Sequence, residues 1–192
     1  MADAAPKQNG GKPGAMAQFM SNEPNVERFT PPEVVMAGNR TLGHIDLDPA
    51  TTVRVNNTFI RATNIFTKED DGLKYPWKGR VLLNPPGGEQ GLTRKFWEKL
   101  VREFEQKNVS NAVYVAYCID QLRQSQTWSV KPMVKFPFCI PNRRLAFYEE
   151  NSRGDLVEQE HVTMSNAIVY LGKNVKKFID GFAFIGQVII PR

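Results

Sequence analysis

The segment over residues 81–88, Val-Leu-Leu-Asn-Pro-Pro-Gly-Gly, constrains the fold more than any other stretch of the chain. A short run of branched apolar residues bounded by turn residues is typical of a buried β-strand. Pro85 and Pro86 fix φ and lack backbone N–H donors, so the strand must end there. We therefore expect Asn84 to lie at the tip of a buried strand, on a stiffened backbone.

A carboxamide at such a strand tip suits the recognition of a planar amine. The Asn84 side chain carries a carbonyl acceptor and an amide donor on one group. Its oxygen and the Pro85 carbonyl can both accept hydrogen bonds from an exocyclic amine, which is what an amino-methyltransferase requires. An ordinary turn is the alternative interpretation, because Asn-Pro and Pro-Gly also occur in plain turns.

A second motif, His-Ile-Asp-Leu-Asp-Pro-Ala over 44–50, alternates apolar and acidic residues as a strand does. It places Asp46 and Asp48 near the carboxyl end of that strand. Ligands bind at this edge of open α/β sheets, and an acid there commonly holds ribose hydroxyls. The simpler interpretation of these two residues is a pair of solvated acids at a strand end. For the acidic loop over 66–73, which lies between the two motifs, the simpler interpretation is an Asp-Gly turn. Two strands that end in polar motifs predict one shared crevice.

The spacing of apolar residues predicts alternating strands and helices early in the chain and mostly strands later. One helix is expected after Thr30, which forms a capping-box pattern with Glu33. A second is expected over 91–107, where the apolar residues share one face. The remaining expected elements are a helix or loop over 56–62, a helix over 121–128, and strands over 45–47, 64–66, 81–83, 111–117, 134–140, 145–148, 167–171 and 182–190. This order favours a doubly wound α/β sheet with an antiparallel edge.

The ordered set of motifs over residues 28–190 resembles the phage-type DNA N6-adenine methyltransferase family. The motifs that carry the resemblance are 29–32 (Phe-Thr-Pro-Pro), 46–50 (Asp-Leu-Asp-Pro-Ala), Asn56, 66–67 (Phe-Thr), 71–73 (Asp-Gly-Leu), 77–79 (Trp-Lys-Gly), 84–86 (Asn-Pro-Pro), 136–137 (Phe-Pro), 144–147 (Arg-Leu-Ala-Phe) and 165–172 (Ser-Asn-Ala-Ile-Val-Tyr-Leu-Gly). It implies a Rossmann-like, doubly wound α/β methyltransferase sheet, mostly parallel with an antiparallel C-terminal edge.

The resemblance also implies an activity and a set of site residues. The expected reaction moves a methyl group from S-adenosyl-L-methionine to the N6 amine of an adenine extruded from double-stranded DNA. The residues expected at the catalytic tip are Asn84, Pro85 and Pro86. The residues expected to hold the cofactor are Thr30, Pro31, Asp46, Asp48, Pro49, Ala50, Asp71 and Leu73. Arg143 and Arg144 are expected to contact DNA, with an exposed surface pair as the alternative. Recognition of the DNA sequence is expected to come from loops over 143–160 or from a dimer.

Gly87 departs from the family pattern, in which an aromatic residue follows Asn-Pro-Pro and stacks on the target base. A base–aromatic stack contributes roughly 1–3 kcal/mol. Two other hypotheses therefore stay open: a DNA- or cofactor-binding protein without turnover, and a methyltransferase for another planar amine such as cytosine N4 or a glutamine amide. The aromatic residues that are candidates by type to replace the missing ring are Tyr75, Trp77, Tyr117 and Trp128.

Composition bounds the class of protein without identifying it. The chain of 192 residues is 41 % hydrophobic and carries 25 basic and 20 acidic residues, which is compatible with a nucleic-acid partner but does not require one. Residues 1–27 predict a disordered tail and 28–192 a single domain. We expect Cys118 and Cys139 to be buried free thiols. Free thiols suit a reducing cytoplasm, which is that of a bacterial host if the protein is phage-encoded. No membrane span, signal peptide or structural zinc site is expected.

Overall fold

The computed structural model describes residues 27–87, 91–159 and 162–192. Almost all of the predicted tail over 1–27 lies outside the described residues, as does Gly88 of the strand-tip motif. The helices are α1 Pro32–Leu42, α2 Val53–Val55, α3 Leu92–Glu105, α4 Asp120–Gln124 and α5 Val175–Phe182, and α2 continues into a π-helical turn, Asn56–Ile60. The strands are β1 Leu47–Asp48, β2 Asn64–Ile65, β3 Gly79–Leu83, β4 Val109–Ala116, β5 Phe138–Pro141, β6 Tyr148–Glu150, β7 Leu156–Glu158, β8 Ala167–Leu171 and β9 Gly186–Ile189.

Seven of these strands form one mixed sheet in the order β2-β1-β3-β4-β8-β5-β9. The first four are parallel to one another. In contrast, β8 is antiparallel to both β4 and β5, and β9 is antiparallel to β5. Five of the seven strands therefore run in the same direction. The predicted α/β class and the antiparallel C-terminal edge are confirmed.

Helices cover both faces of the sheet because alternate strand residues point to opposite sides. Leu82 and Val113 belong to the core on the side of α1 and α5. Val81 and Tyr114 belong to the core on the side of α3. The predicted amphipathic helix over 91–107 is confirmed as α3, which buries Phe96, Trp97, Leu100 and Val101. Polar groups of the sheet therefore reach solvent mainly at the ends of its strands.

The prediction that Thr30 caps the first helix is wrong. Pro31 occupies the N-cap position of α1, and no side chain bonds to the first turn. The Pro31 carbonyl accepts from the N–H groups of Val34 and Val35 at 2.9 and 3.1 Å. Pro31 and Pro32 have no N–H group, so the first turn leaves fewer donors that need a cap.

The predicted elements of the C-terminal half are only partly correct. The strand predicted over 167–171 is confirmed as β8. The strand predicted over 134–140 is shorter, because Met133–Lys135 form a 3₁₀ turn and β5 begins at Phe138. The strand predicted over 145–148 is wrong, since β6 begins at Tyr148 and pairs with β7 in a separate hairpin. The strand predicted over 182–190 begins only at Gly186, after the helix α5.

Candidate functional site

Three polar residues lie along the carboxyl edge of the parallel strands. Asp48 is the last residue of β1, Asn84 follows β3 directly, and Tyr117 follows β4. The strands β1, β3 and β4 are consecutive neighbours in the sheet, so these three residues lie side by side along one edge. The edge that the sequence predicts for Asp48 and Asn84 is therefore shared by both.

The carboxamide of Asn84 is held in one orientation. The side chain is buried, and its Nδ2 donates to the main-chain carbonyl of Arg28 at 2.7 Å. A carbonyl can only accept, so this bond assigns the nitrogen to Arg28 and the oxygen to the opposite side. Within the part of the chain that the structure describes, Asn84 Oδ1 accepts no hydrogen bond. The oxygen is therefore the group that Asn84 offers to a ligand.

Arg28 and Phe29 form a short strap across the strand tip. Arg28 Nη1 donates to the hydroxyl of Tyr117 at 2.6 Å, and its guanidinium lies 5.2 Å from the centroid of that ring. The next residue, Phe29, exchanges two backbone hydrogen bonds with Tyr148 of β6, at 2.7 and 3.0 Å. The strap thus connects Asn84 to the end of β4 and to the β6–β7 hairpin.

Asn166 holds the other side of Tyr117. Its Nδ2 donates to the Tyr117 carbonyl at 2.6 Å, and its Oδ1 accepts from the N–H of Leu145 at 3.1 Å. The side chain is buried, with 2 % of its surface exposed. Sequence reasoning missed Arg28, Tyr117 and Asn166 as parts of one cluster. The only available signal was an Asn placed directly before a buried apolar strand.

Asp48 lies inside the protein, with only 1 % of its surface exposed. Burial raises the pKa of its carboxyl to about 7, and the N–H of Ala50, 3.0 Å from Oδ1, opposes this rise. The main-chain carbonyl of Asp48 accepts from Phe66, which binds the end of β1 to the segment after β2. Its carboxyl is therefore a group that exchanges a proton near neutral pH.

Asp46 is bound differently. Its carboxylate accepts from Arg80 Nε at 2.7 Å, from Nη2 at 2.8 Å and from the Arg80 N–H at 2.8 Å. The Arg80 guanidinium lowers the pKa of Asp46. A Cβ on Gly79 would lie 2.6 Å from Asp46 Oδ2, so glycine leaves room for this pair. Asp46 thus joins β1 to β3, and Asp48 is the acid at the strand end.

The acidic loop folds directly onto the Asp48-Pro49-Ala50 segment. Asp70 closes the loop by accepting from the N–H and hydroxyl of Thr67 at 2.8 and 2.9 Å. Asp71 adopts a left-handed backbone with φ 59° and keeps a partly exposed carboxylate, 3.5 Å from Lys74 Nζ. Gly72 contacts Pro49 so closely that a Cβ there would lie 2.1 Å from the Pro49 carbonyl oxygen. Glu69 and Asp70 are exposed, and Asp71 is the partly exposed acid directly before the Gly72–Pro49 contact.

The other residues predicted for the site have mixed surroundings. Thr30 and Pro31 are buried beside the strap, and Pro85 is buried behind Asn84. Leu73 packs on the α3 side of the core and lines a surface depression of about 420 Å³, whose other walls come from α3 and Gln106. Gly87 is exposed, and among the described residues no atom beyond its chain neighbours lies within 4 Å of the place where its Cβ would be.

The arginines predicted to contact DNA both have protein partners. Arg143 Nη2 lies 2.7 Å from Glu33 Oε2 in the first turn of α1, and Arg144 Nη1 donates to the Val162 carbonyl at 3.2 Å. Both arginines are exposed, and exposed ion pairs contribute about 0–1 kcal/mol, so Arg143 can exchange Glu33 for a phosphate. The β6–β7 region that follows is acidic, since its charged residues are Glu149, Glu150, Arg153, Asp155 and Glu158.

The four aromatic candidates are separated by their surroundings. Trp77 is fully buried, and Trp128 packs against the same core. Tyr75 is 44 % exposed and stacks on Phe66 with ring centroids 4.9 Å apart, on the β2 side of the sheet. Tyr117 is the candidate connected to Asn84, through Arg28.

Both cysteines are free thiols, and Cys139 is buried while Cys118 is half-buried. Burial raises the pKa of the Cys139 thiol to about 12. The described residues contain no group of three or more His, Cys, Asp or Glu side chains that could hold a metal ion. None of the helices in the described ranges is both long enough and apolar enough to cross a membrane.

Comparisons of the chain with known protein families, with curated proteins and with solved structures give no match. A functional assignment therefore depends on the chemistry of the carboxyl edge and on the motif pattern of the sequence.

Proposed function

We propose that this protein is an S-adenosyl-L-methionine-dependent methyltransferase that acts on the N6 amine of adenine in DNA. The observation that supports the proposal most is the oriented carboxamide of Asn84. Its amide nitrogen is bound to the Arg28 carbonyl at 2.7 Å, and its oxygen is left for a ligand. An acceptor fixed before the reaction is what an electrostatic mechanism requires.

Asn84 and Pro85 act on the target amine in this proposal. Asn84 Oδ1 and the Pro85 carbonyl each accept one hydrogen bond from the exocyclic amine. These two bonds direct the lone pair of the nitrogen towards the incoming methyl group. S-adenosyl-L-methionine supplies that methyl group as a strong electrophile. The S–CH3 bond would break as the N–CH3 bond forms, and the sulfonium would leave as a neutral thioether. No strong base is needed, because the methylated nitrogen then loses its extra proton to water, so catalysis depends on position and acceptor dipoles.

The residues around β1 suit a nucleoside cofactor. Asp48 at the end of β1 and the partly exposed Asp71 supply acceptors for hydroxyl or amino groups. The contact between Gly72 and Pro49 fixes the two segments relative to each other. A mixed sheet with helices on both faces, and with polar residues at the carboxyl edge, is compatible with the Rossmann-like methyltransferase architecture that we propose.

The decisive experiment measures transfer of labelled methyl groups from S-adenosyl-L-methionine to unmethylated double-stranded DNA, with identification of the product nucleoside. We expect N6-methyladenine from the wild-type protein. Asn84→Ala is expected to abolish transfer and to keep the wild-type circular dichroism spectrum. Asn57→Ala is the matched control, because Asn57 is exposed in the π-helical turn. Full activity of Asn84→Ala would refute the mechanism.

The surroundings of Gly87 favour a second candidate function. The position after Asn-Pro-Pro is exposed and open, with no ring to stack on an extruded base. A protein that binds cofactor or DNA without turnover would keep the sheet and lose only this contact. Measurable binding of S-adenosyl-L-methionine or DNA by calorimetry, with no methyl incorporation, would select this function over the first.

A further inference from the structure

The direction of the Asn84 carboxamide depends on a residue far away in the sequence. A half-turn about χ2 exchanges Nδ2 and Oδ1 with little change in shape. After such a flip, Asn84 Oδ1 would face the Arg28 carbonyl oxygen at the 2.7 Å distance now occupied by Nδ2, with no proton between them. The flipped form would also present an amide donor to the target amine. The Arg28 carbonyl therefore selects the orientation that accepts from an amine.

The position of the Arg28 carbonyl is fixed on both sides. Its own side chain donates to the Tyr117 hydroxyl at 2.6 Å. The next residue, Phe29, is bound by two backbone hydrogen bonds to Tyr148. Tyr117 is itself held by Asn166 through its carbonyl at 2.6 Å. The bond between Arg28 and the Tyr117 hydroxyl can be removed by a side-chain substitution that leaves the backbone unchanged.

We infer that Arg28 and Tyr117 are positioning residues for methyl transfer, which act by fixing the carboxamide of Asn84. The inference rests on the proposed function of Asn84. Neither side chain belongs to the β1 end of the edge, where Asp48 and Asp71 lie. Their loss should therefore lower kcat more than the affinity for S-adenosyl-L-methionine.

Tyr117→Phe tests this inference with the loss of a single hydroxyl. We expect kcat to fall about tenfold, the lower end of what a hydrogen bond to a charged group contributes. Arg28→Met should lower kcat at least as much, and Arg28→Lys should recover part of the loss because an ammonium can still donate to Tyr117. Tyr170→Phe is the matched control, since it also removes a hydrogen-bonded hydroxyl, which donates to Asn111 Oδ1 at 3.1 Å away from the carboxyl end of β4.

The measurements separate positioning from a general structural role. Initial rates give kcat and KM for both substrates, calorimetry gives the cofactor affinity, and thermal unfolding gives stability. A kcat that falls more than the cofactor affinity, in a protein that keeps its fold, supports the inference. A wild-type kcat in Tyr117→Phe, or equal losses in kcat, affinity and stability, would overturn it. An inactive wild-type protein would instead reject the proposed function itself.

Discussion

Replacing Gly72 by alanine tests the contact that joins the acidic loop to the end of β1. A Cβ at this position would lie 2.1 Å from the Pro49 carbonyl oxygen, 3.2 Å from its carbon and 3.3 Å from the Phe66 Cβ. Carbon–oxygen contacts normally begin near 3.3 Å, so the two segments must separate by roughly 1 Å. The obstructing atoms belong mainly to the backbone and cannot rotate away as a flexible side chain would.

The cost follows from the atoms that must move. Overpacking in a filled core costs typically about 1–3 kcal/mol. The Gly72 carbonyl also accepts from the indole N–H of the fully buried Trp77 at 2.8 Å, and disturbing that bond adds about 1 kcal/mol. We therefore expect the free energy of unfolding to fall by about 3 kcal/mol and the Tm by roughly 6–12 °C.

Urea denaturation followed by tryptophan fluorescence measures this change, and Gly87→Ala is the matched control. The control removes a glycine where nothing lies within 4 Å of the new Cβ, so its free energy of unfolding should stay within about 0.5 kcal/mol of wild type. The affinity of Gly72→Ala for S-adenosyl-L-methionine should also fall, because Pro49 and Ala50 must move. A Gly72→Ala protein as stable as the Gly87→Ala control would refute the reasoning.

Two other substitutions address the carboxyl edge directly. Because burial raises the pKa of Asp48 from 3.8 to about 7, the folded state holds its proton longer than the unfolded state, and this group's contribution to stability is lost as pH rises from about 4 to 7. Asp48→Asn should therefore show a smaller decline of the urea midpoint over that range, and an unchanged decline would contradict the assignment. Gly87→Tyr should bind DNA with 2-aminopurine at the target base roughly 5- to 150-fold more tightly by fluorescence titration, from a stack of about 1–3 kcal/mol. An equal gain in Gly87→Leu would exclude stacking as the cause.

Elements with strong local signals could be predicted from the sequence. The apolar run before Asn-Pro-Pro gave the end of β3, because two prolines stop a strand whatever surrounds it. The apolar face over 91–107 gave α3, and the uninterrupted apolar run over 167–171 gave β8. These signals depend on neighbours in the sequence, so tertiary contacts did not change them.

Weaker signals were decided by contacts elsewhere in the chain. The residues over 145–147 have the composition of a strand, but Leu145 and Phe147 pack into the core and pairing begins only at Tyr148. The helix α5 has an Asn174 cap, whose side chain accepts from Lys177, and buried Phe178 and Phe182 at helical spacing. This signal was available in the sequence but spans only two turns and adjoins a strand.

The site shows the same division between local and distant causes. The sequence predicted Asp48 and Asn84 at one edge, but it could not show that Asp46 forms an ion pair with Arg80. The contacts that orient Asn84 join residues 56, 89 and 49 positions apart, in the pairs Asn84–Arg28, Arg28–Tyr117 and Asn166–Tyr117. No periodicity or motif in one sequence encodes pairs at such separations.

Asn84 therefore depends on two kinds of constraint that do different things. The prolines after it restrict the backbone and fix where the side chain begins, but they leave χ2 of the carboxamide open. The Arg28 carbonyl restricts χ2, and it is itself held from the second half of the chain by Tyr117 and Tyr148. If the backbone were fixed but the amide could rotate, Asn84 would present its NH2 donor and its oxygen acceptor in turn to the target amine. If the amide were oriented but the backbone were mobile, the oxygen would not stay within hydrogen-bond distance of that amine. Since an acceptor lowers a barrier only when its direction is set before the reaction, both constraints are required.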